Sequence, residues 1–229
     1  MLIAPRLTHW LTASISTSIW NAPEASNAGH TLAASGHIGE GPLHWTPCFN
    51  SSAPEQTRWR CGFLDVPLDH TNASDARTAR IALVMLRARN KTSKRTLFLD
   101  PGGPGASGTA YAFARSDFWE TITDGNYNIL GFDARGVNMS SPQASCYEDN
   151  FNRMPWWLSA SPDLSRTDPE AQFEIADSYA NALMQGCRQR LGDLPRFINT
   201  VAIARDMDLI RDALGEEETN GFFLSHGTS

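Results

Sequence analysis

The stretch that decides the fold is Leu97-Phe98-Leu99-Asp100-Pro101-Gly102-Gly103-Pro104-Gly105-Ala106-Ser107-Gly108, an apolar run that stops at a proline and gives way to a glycine-proline loop. Four of residues 102–108 are glycine, so the backbone there can take φ > 0 and approach a ligand closely. Pro101 and Pro104 fix φ and donate no hydrogen bond, which stiffens the loop. A stiff loop with free N–H groups at a strand end suits the stabilisation of a developing oxyanion. The simpler alternative is a tight strand-to-helix turn.

A second stretch, Gly221-Phe222-Phe223-Leu224-Ser225-His226-Gly227-Thr228, weighs against that alternative. An apolar run meets Ser-x-Gly, most of a nucleophile elbow, in which a strand turns sharply into a helix and exposes the serine. Gly227 meets the need for a small residue after the serine. The glycine usually found two places before it is replaced by Phe223. Ser-x-Gly alone is a weak signal, and its pairing with the upstream loop makes it more specific.

Outward from these two stretches, the chain alternates strand-like and helix-like segments. Cys61 to Asp69 alternates apolar and polar residues and ends near a proline, which predicts a short edge strand. Ala79 to Ala88 predicts a central strand, and Thr96 to Asp100 the strand that feeds the loop. Ala106 to Thr121 predicts a helix, and Tyr127 to Asp133 another strand. A polar insertion over about 140–196 follows, with a helix predicted at Pro169 to Leu191, where Phe173, Ile175, Tyr179, Leu183 and Cys187 recur at helical spacing. Trp156 and Trp157 read as cap packing, with a substrate entrance as the alternative. Asn199-Thr200 caps a helix over Val201 to Leu214, and Gly215 closes it. Arg205, Asp206, Asp208 and Arg211 read as its solvated polar face. Gly221 to Leu224 reads as a short buried strand. Strands separated by helices imply an α/β sheet, parallel in its interior.

The chain of 229 residues can bury one sizeable core. A formal net charge of −6 gives no basic footprint, which argues against nucleic acid as a partner. No run approaches the roughly 18 apolar residues of a membrane helix. The expected organisation is an irregular segment over 1–40 and a partial α/β domain over 41–229. Met1 to Trp20 reads as a weak secretory leader, broken by Arg6 and His9, and Asn21 to Gly36 as linker or disorder.

Four cysteines without C-x-x-C argue against zinc and allow three disulfide pairings. The preferred pairing is within segments, Cys48 with Cys61 and Cys146 with Cys187, against four unrelated thiols. Asn50-Ser-Ser, Asn72-Ala-Ser, Asn90-Lys-Thr and Asn138-Met-Ser match the N-glycosylation pattern. Together with an even cysteine count they point to an oxidising, secretory route.

These residues resemble the tripeptidyl aminopeptidase and proline iminopeptidase-like α/β-hydrolases. Cys61-Gly-Phe-Leu-Asp-Val-Pro-Leu-Asp-His is similar to that family's first strand, and Asp100-Pro-Gly-Gly-Pro-Gly-Ala-Ser-Gly to its oxyanion loop. Asn128-Ile-Leu-Gly-Phe-Asp-Ala-Arg-Gly-Val with Ser140-Ser-Pro is similar to its strand-and-turn signature. Thr200 to Leu214 resembles the helix before the elbow, and Ser225-His-Gly-Thr the elbow itself. The resemblance runs from about Cys48 to Ser229 and implies an incomplete α/β-hydrolase fold, its sheet covered up to the elbow.

It also implies acyl transfer to Ser225, with the backbone N–H groups of Gly103 and His226 as the oxyanion hole and no cofactor. Asp133 and Arg135 are expected to form a structural pair. The implied substrate is a peptide cut near its N-terminus, or a small acyl compound such as an ester. The family's triad aspartate and histidine follow the elbow, and no residue of this sequence takes their places. His226 is expected to diverge from Ser225, and no motif places His9, His30, His37, His44 or His70. The expectation is therefore a serine hydrolase by descent whose 229-residue chain is inactive, or a non-catalytic fragment from an incomplete gene model.

Overall fold

The computed structural model describes residues 43–93, 95–147 and 169–229. The leader and linker readings, Trp156, Trp157, His9, His30 and His37 lie outside them. Six strands form one mixed sheet: β1 (His44–Pro47), β2 (Trp59–Pro67), β3 (Thr78–Leu86), β4 (Thr96–Asp100), β5 (Asn128–Phe132) and β6 (Asn220–Phe223). Their spatial order is β1-β2-β3-β5-β4-β6.

The direction of each pairing follows from its connection. β1, β2 and β3 are joined without an α-helix between them and pair antiparallel. Helix α1 (Gly108–Ile122) joins β4 to β5, and the pair is parallel, as a crossover connection requires. Helices α2 (Pro169–Leu191) and α3 (Thr200–Ala213) precede β6, which lies parallel to β4 on its other side. The expected parallel interior is thus corrected, because the interior strand β3 is antiparallel to both β2 and β5.

Two strand readings change with it. The segment at Cys61 is not a short edge strand: β2 is nine residues long and β1 covers its outer side. β1 has only four residues and ends in proline, so it left no periodic signal. Conversely, the strand before Ser225 is not buried. β6 is a sheet edge, with Phe222 39% exposed.

The core has two layers, one on each face of the sheet. Residues of β3 alternate between them: Ile81, Leu83 and Met85 pack with Phe98, Leu130 and Ile210 on the α3 side. Val84 and Leu86 pack with Leu99, Ala112, Trp119 and Ile129 on the α1 side. This period of two along a strand buried on both faces explains the long apolar run over 81–86. Helix α1 can sit low on the sheet because Gly131 has no Cβ; one there would lie 2.2 Å from the Gly108 carbonyl oxygen.

Capping residues set the helix starts. The Ser107 hydroxyl accepts the Ala110 N–H at 3.1 Å, and the Asn199 side chain accepts the Ala202 N–H at 3.0 Å. Helix α2 has the predicted span, with Phe173 of its apolar stripe 73% exposed. Cys48–Cys61 and Cys146–Cys187 are disulfide-bonded, the first tying the end of β1 to β2.

Candidate active site

Because β4, β5 and β6 are parallel, their carboxyl ends meet along one edge of the sheet. In open α/β sheets this edge is where ligands bind. Asp100 ends β4, Asp133 follows β5 and Ser225 follows β6.

Ser225 has φ +51°, the left-handed region. For a residue with a Cβ this costs about 1–2 kcal/mol, and the turn around it compensates. The Leu224 N–H donates to the Asp100 carbonyl at 3.0 Å, extending the β4–β6 ladder one step past the strand, and the Gly227 N–H donates to the Leu224 carbonyl at 2.8 Å. Ser225 is exposed at this turn. Among the described residues no side chain hydrogen-bonds to its hydroxyl, and the His226 ring makes no hydrogen bond.

The glycine-proline loop lies against this turn. Gly102 is buried with φ +78°, and a Cβ on it would fall 2.1 Å from the Leu224 carbonyl oxygen and 2.9 Å from the His226 nitrogen. Only glycine permits that approach. Gly103 is the next residue, exposed, with φ +115°. The structure therefore sets Gly102 against the turn that carries Ser225 and His226, with Gly103 the next residue of the loop.

Asp100 joins the two segments, a role not read from the sequence. Its Oδ1 accepts the Gly102 N–H at 2.7 Å, and its Cγ lies 3.0 Å from where a Cβ on Gly227 would be. The signal was present as Asp-Pro-Gly, since aspartate commonly accepts the N–H two residues on.

Phe223, which replaces the expected glycine, is accommodated by Gly221. A Cβ on Gly221 would lie 2.1 Å from the Phe223 ring, so the ring folds back along its own strand face and packs on the α3-side core.

Asp133 and Arg135 do not pair with each other, contrary to expectation. Asp133 is fully buried and accepts from the Ser107 hydroxyl at 2.7 Å, the Thr109 N–H at 3.1 Å, the Asn138 amide at 2.8 Å and the Met139 N–H at 3.2 Å. A carboxylate at the start of α1 also faces the favourable end of the helix dipole. Asp133 thereby fixes the segment that follows the glycine-proline loop.

Arg135 instead forks onto Asp206 of α3, Nε to Oδ2 at 2.6 Å and Nη2 to Oδ1 at 2.5 Å. It also donates to the carbonyls of Leu68, Phe197 and Pro67 at 2.7, 3.1 and 3.0 Å. His70 Nε2 lies 2.8 Å from Asp206 Oδ1 and 3.0 Å from Arg135 Nη2. Asp206 is therefore not part of a solvated face, and His70 has a half-buried structural place beside it. Asp208 and Arg211 do form the expected surface ion pair, at 2.8 Å.

Ser225 thus stands at a left-handed turn after a strand parallel to β4, beside a glycine-rich loop. No protein-family model matches the chain. Its relatives nonetheless point one way: over most of its length the chain is similar to proteins named as serine peptidases, which supports a serine peptidase, α/β-hydrolase-like family. It is 32% identical to a tripeptidyl aminopeptidase of Streptomyces coelicolor over 214 residues, 90% of this chain and 37% of the relative. It is 29% identical over 195 residues to the serine protease Hip1 of Mycobacterium tuberculosis, 82% of this chain and 35% of that protein. A carboxylesterase B of the same organism is 31% identical over 180 residues, 74% of this chain and 32% of the relative. The chain thus spans about a third of the length of the curated relatives it matches.

Proposed function

We propose that this chain carries the nucleophile and oxyanion hole of a serine peptidase that cleaves short pieces from peptide N-termini. The observation that carries this reading is Ser225 at φ +51°, at the end of β6 and in backbone contact with the Gly102 loop. In this reading Ser225 Oγ attacks the acyl carbon, and the carbonyl oxygen takes the negative charge. The N–H groups of Gly103 and His226 donate to that oxygen. Each such donor is typically worth about 3 kcal/mol in the transition state.

The serine must lose its proton as it attacks, and a base within hydrogen-bond reach must take it. Among the described residues none is placed to do so. The base and its orienting acid are proposed to come from the part of the protein that corresponds to the rest of the relatives' length. The names tripeptidyl aminopeptidase and serine protease Hip1 favour a peptide substrate; carboxylesterase B supports an ester as the second reading. Incompleteness of the α/β-hydrolase fold belongs to the same proposal, with β6 as the edge on which a further strand would add.

The test compares the 229-residue chain with a protein extended through a downstream aspartate and histidine. The extended protein is expected to release a chromophore from tripeptidyl substrates faster than from short acyl esters, and the short chain to release neither. Ester turnover with no peptidase activity would move the assignment to the second reading.

A further inference from the structure

Four Asn-x-Ser/Thr motifs look alike in the sequence, but the fold treats two of them in opposite ways. Asn72, Ala73 and Ser74 are exposed on the loop between β2 and β3. Asn72 Oδ1 accepts the Ser74 N–H at 3.1 Å, and among the described residues nothing engages its Nδ2. Asn138 also reaches the surface, but its Nδ2 donates to Asp133 Oδ2 at 2.8 Å and to the Ser107 hydroxyl at 3.1 Å. The hydroxyl residue of its motif, Ser140, is fully buried, donating to the Asp133 carbonyl at 2.6 Å and accepting the Ala82 N–H at 2.9 Å. Asn50 and Asn90 are exposed, with one Asn90 amide hydrogen directed to Asn126 Oδ1 at 3.0 Å.

We propose that Asn72 accepts an N-linked glycan in the secretory pathway and that Asn138 does not carry one in the folded protein. The donor is a lipid-linked oligosaccharide diphosphate. Asn72 Nδ2 forms a bond to the anomeric carbon of the sugar, the bond from that carbon to the diphosphate oxygen breaks, the lipid diphosphate leaves, and Nδ2 releases one proton. The product amide keeps one N–H, and at Asn72 the lost hydrogen served no contact. At Asn138 both amide hydrogens are in use. Replacing one with a sugar removes a donor from the network of a buried carboxylate and sets a bulky group against the start of α1. A buried acceptor left without its donor is costly, so chains modified at Asn138 are lost from the folded pool.

The test is to express the full chain behind a heterologous leader in a eukaryotic secretory host. Secreted, protease-resistant protein is deglycosylated enzymatically in heavy-oxygen water, and each occupied asparagine is read as a tagged aspartate by peptide mass mapping. Asn72 occupancy is read in the microsomal pool as well, so a chain that is not secreted still gives an answer. The expected result is a tag at Asn72 in both pools and none at Asn138 in the folded pool. N72Q should remove one glycan and leave the denaturation midpoint unchanged. N138Q should leave the glycan number unchanged and lower the midpoint. An untagged Asn72, or a tag at Asn138 in folded protein, overturns the proposal.

Discussion

Asp206 has two carboxylate oxygens, both turned into the protein and both taken by the fork of Arg135. Each of these side chains is about 1–2% exposed, so each charge depends on the other for its solvation. Removing one partner of a buried pair typically costs about 3–5 kcal/mol, because the other charge is left uncompensated. D206A should lower the unfolding free energy by about that much, and D206L should not rescue it, since Arg135 would remain buried and unpaired. Urea denaturation monitored by tryptophan fluorescence checks this; a D206A loss below about 1 kcal/mol, the range of an exposed pair, would contradict it.

Glu120 makes the matching case for pH. Burial pushes its carboxyl up, but the hydrogen bonds and charges of Arg58 and Arg89 outweigh burial and hold it below its ordinary value of 4.5. A carboxyl with a lowered folded-state pKa stabilises above its unfolded value, and that contribution is lost as pH falls through the folded one. Wild-type stability should therefore drop as pH falls below about 4.5, and E120Q should drop less over the same interval. Thermal unfolding at pH 7 and pH 3.5 measures this; an equal drop in both proteins would rule out Glu120 as a contributor.

At the scale of elements, each segment showed in the sequence as clearly as its own local pattern allowed. The loop at 101–108, the cap Asn199 and the span of α2 were legible, because glycine, proline and capping side chains act on their own backbone; the Ser107 cap was not read, and the helix expected from Ala106 starts at Gly108. Strand direction and edge position were not legible. β2 reads as an edge from its proline, yet its neighbour β1 lies in a segment with no periodicity. The Arg135 partner was missed because Asp206 lies 71 positions away, and helical spacing alone cannot tell a buried aspartate from a solvated one.

Two substitutions test element-level claims. Asn199→Ala removes the cap of α3 and should cost about 1 kcal/mol in chemical denaturation. Replacing Cys48 and Cys61 together by serine should lower stability by about 2–4 kcal/mol if both partners fold alike otherwise. An unchanged denaturation midpoint in either variant would contradict the role given to it.

For the whole molecule, the parallel β5-β4-β6 half carries the candidate chemistry, and the antiparallel β1-β2-β3 half forms the other flank of the core. The carboxyl ends of three parallel strands bring together a carboxylate clasp, a glycine loop and a strained serine. Ser225 and the glycine loop were legible because their composition is unusual. The contact between them came only from the β4–β6 register. G102A should be poorly tolerated for that reason, because its new Cβ would lie 2.1 Å from a backbone oxygen of the elbow.

The central claim is that Ser225 is the nucleophile, and covalent labelling addresses it most directly. A fluorophosphonate probe is reacted with the protein extended through a downstream aspartate and histidine, and the adduct is mapped by peptide mass. One adduct per chain, on Ser225 and absent in S225A, with none on the unextended 229-residue chain, is the predicted result. An adduct on another residue, labelling that survives S225A, or stoichiometric labelling of the unextended chain would contradict the account.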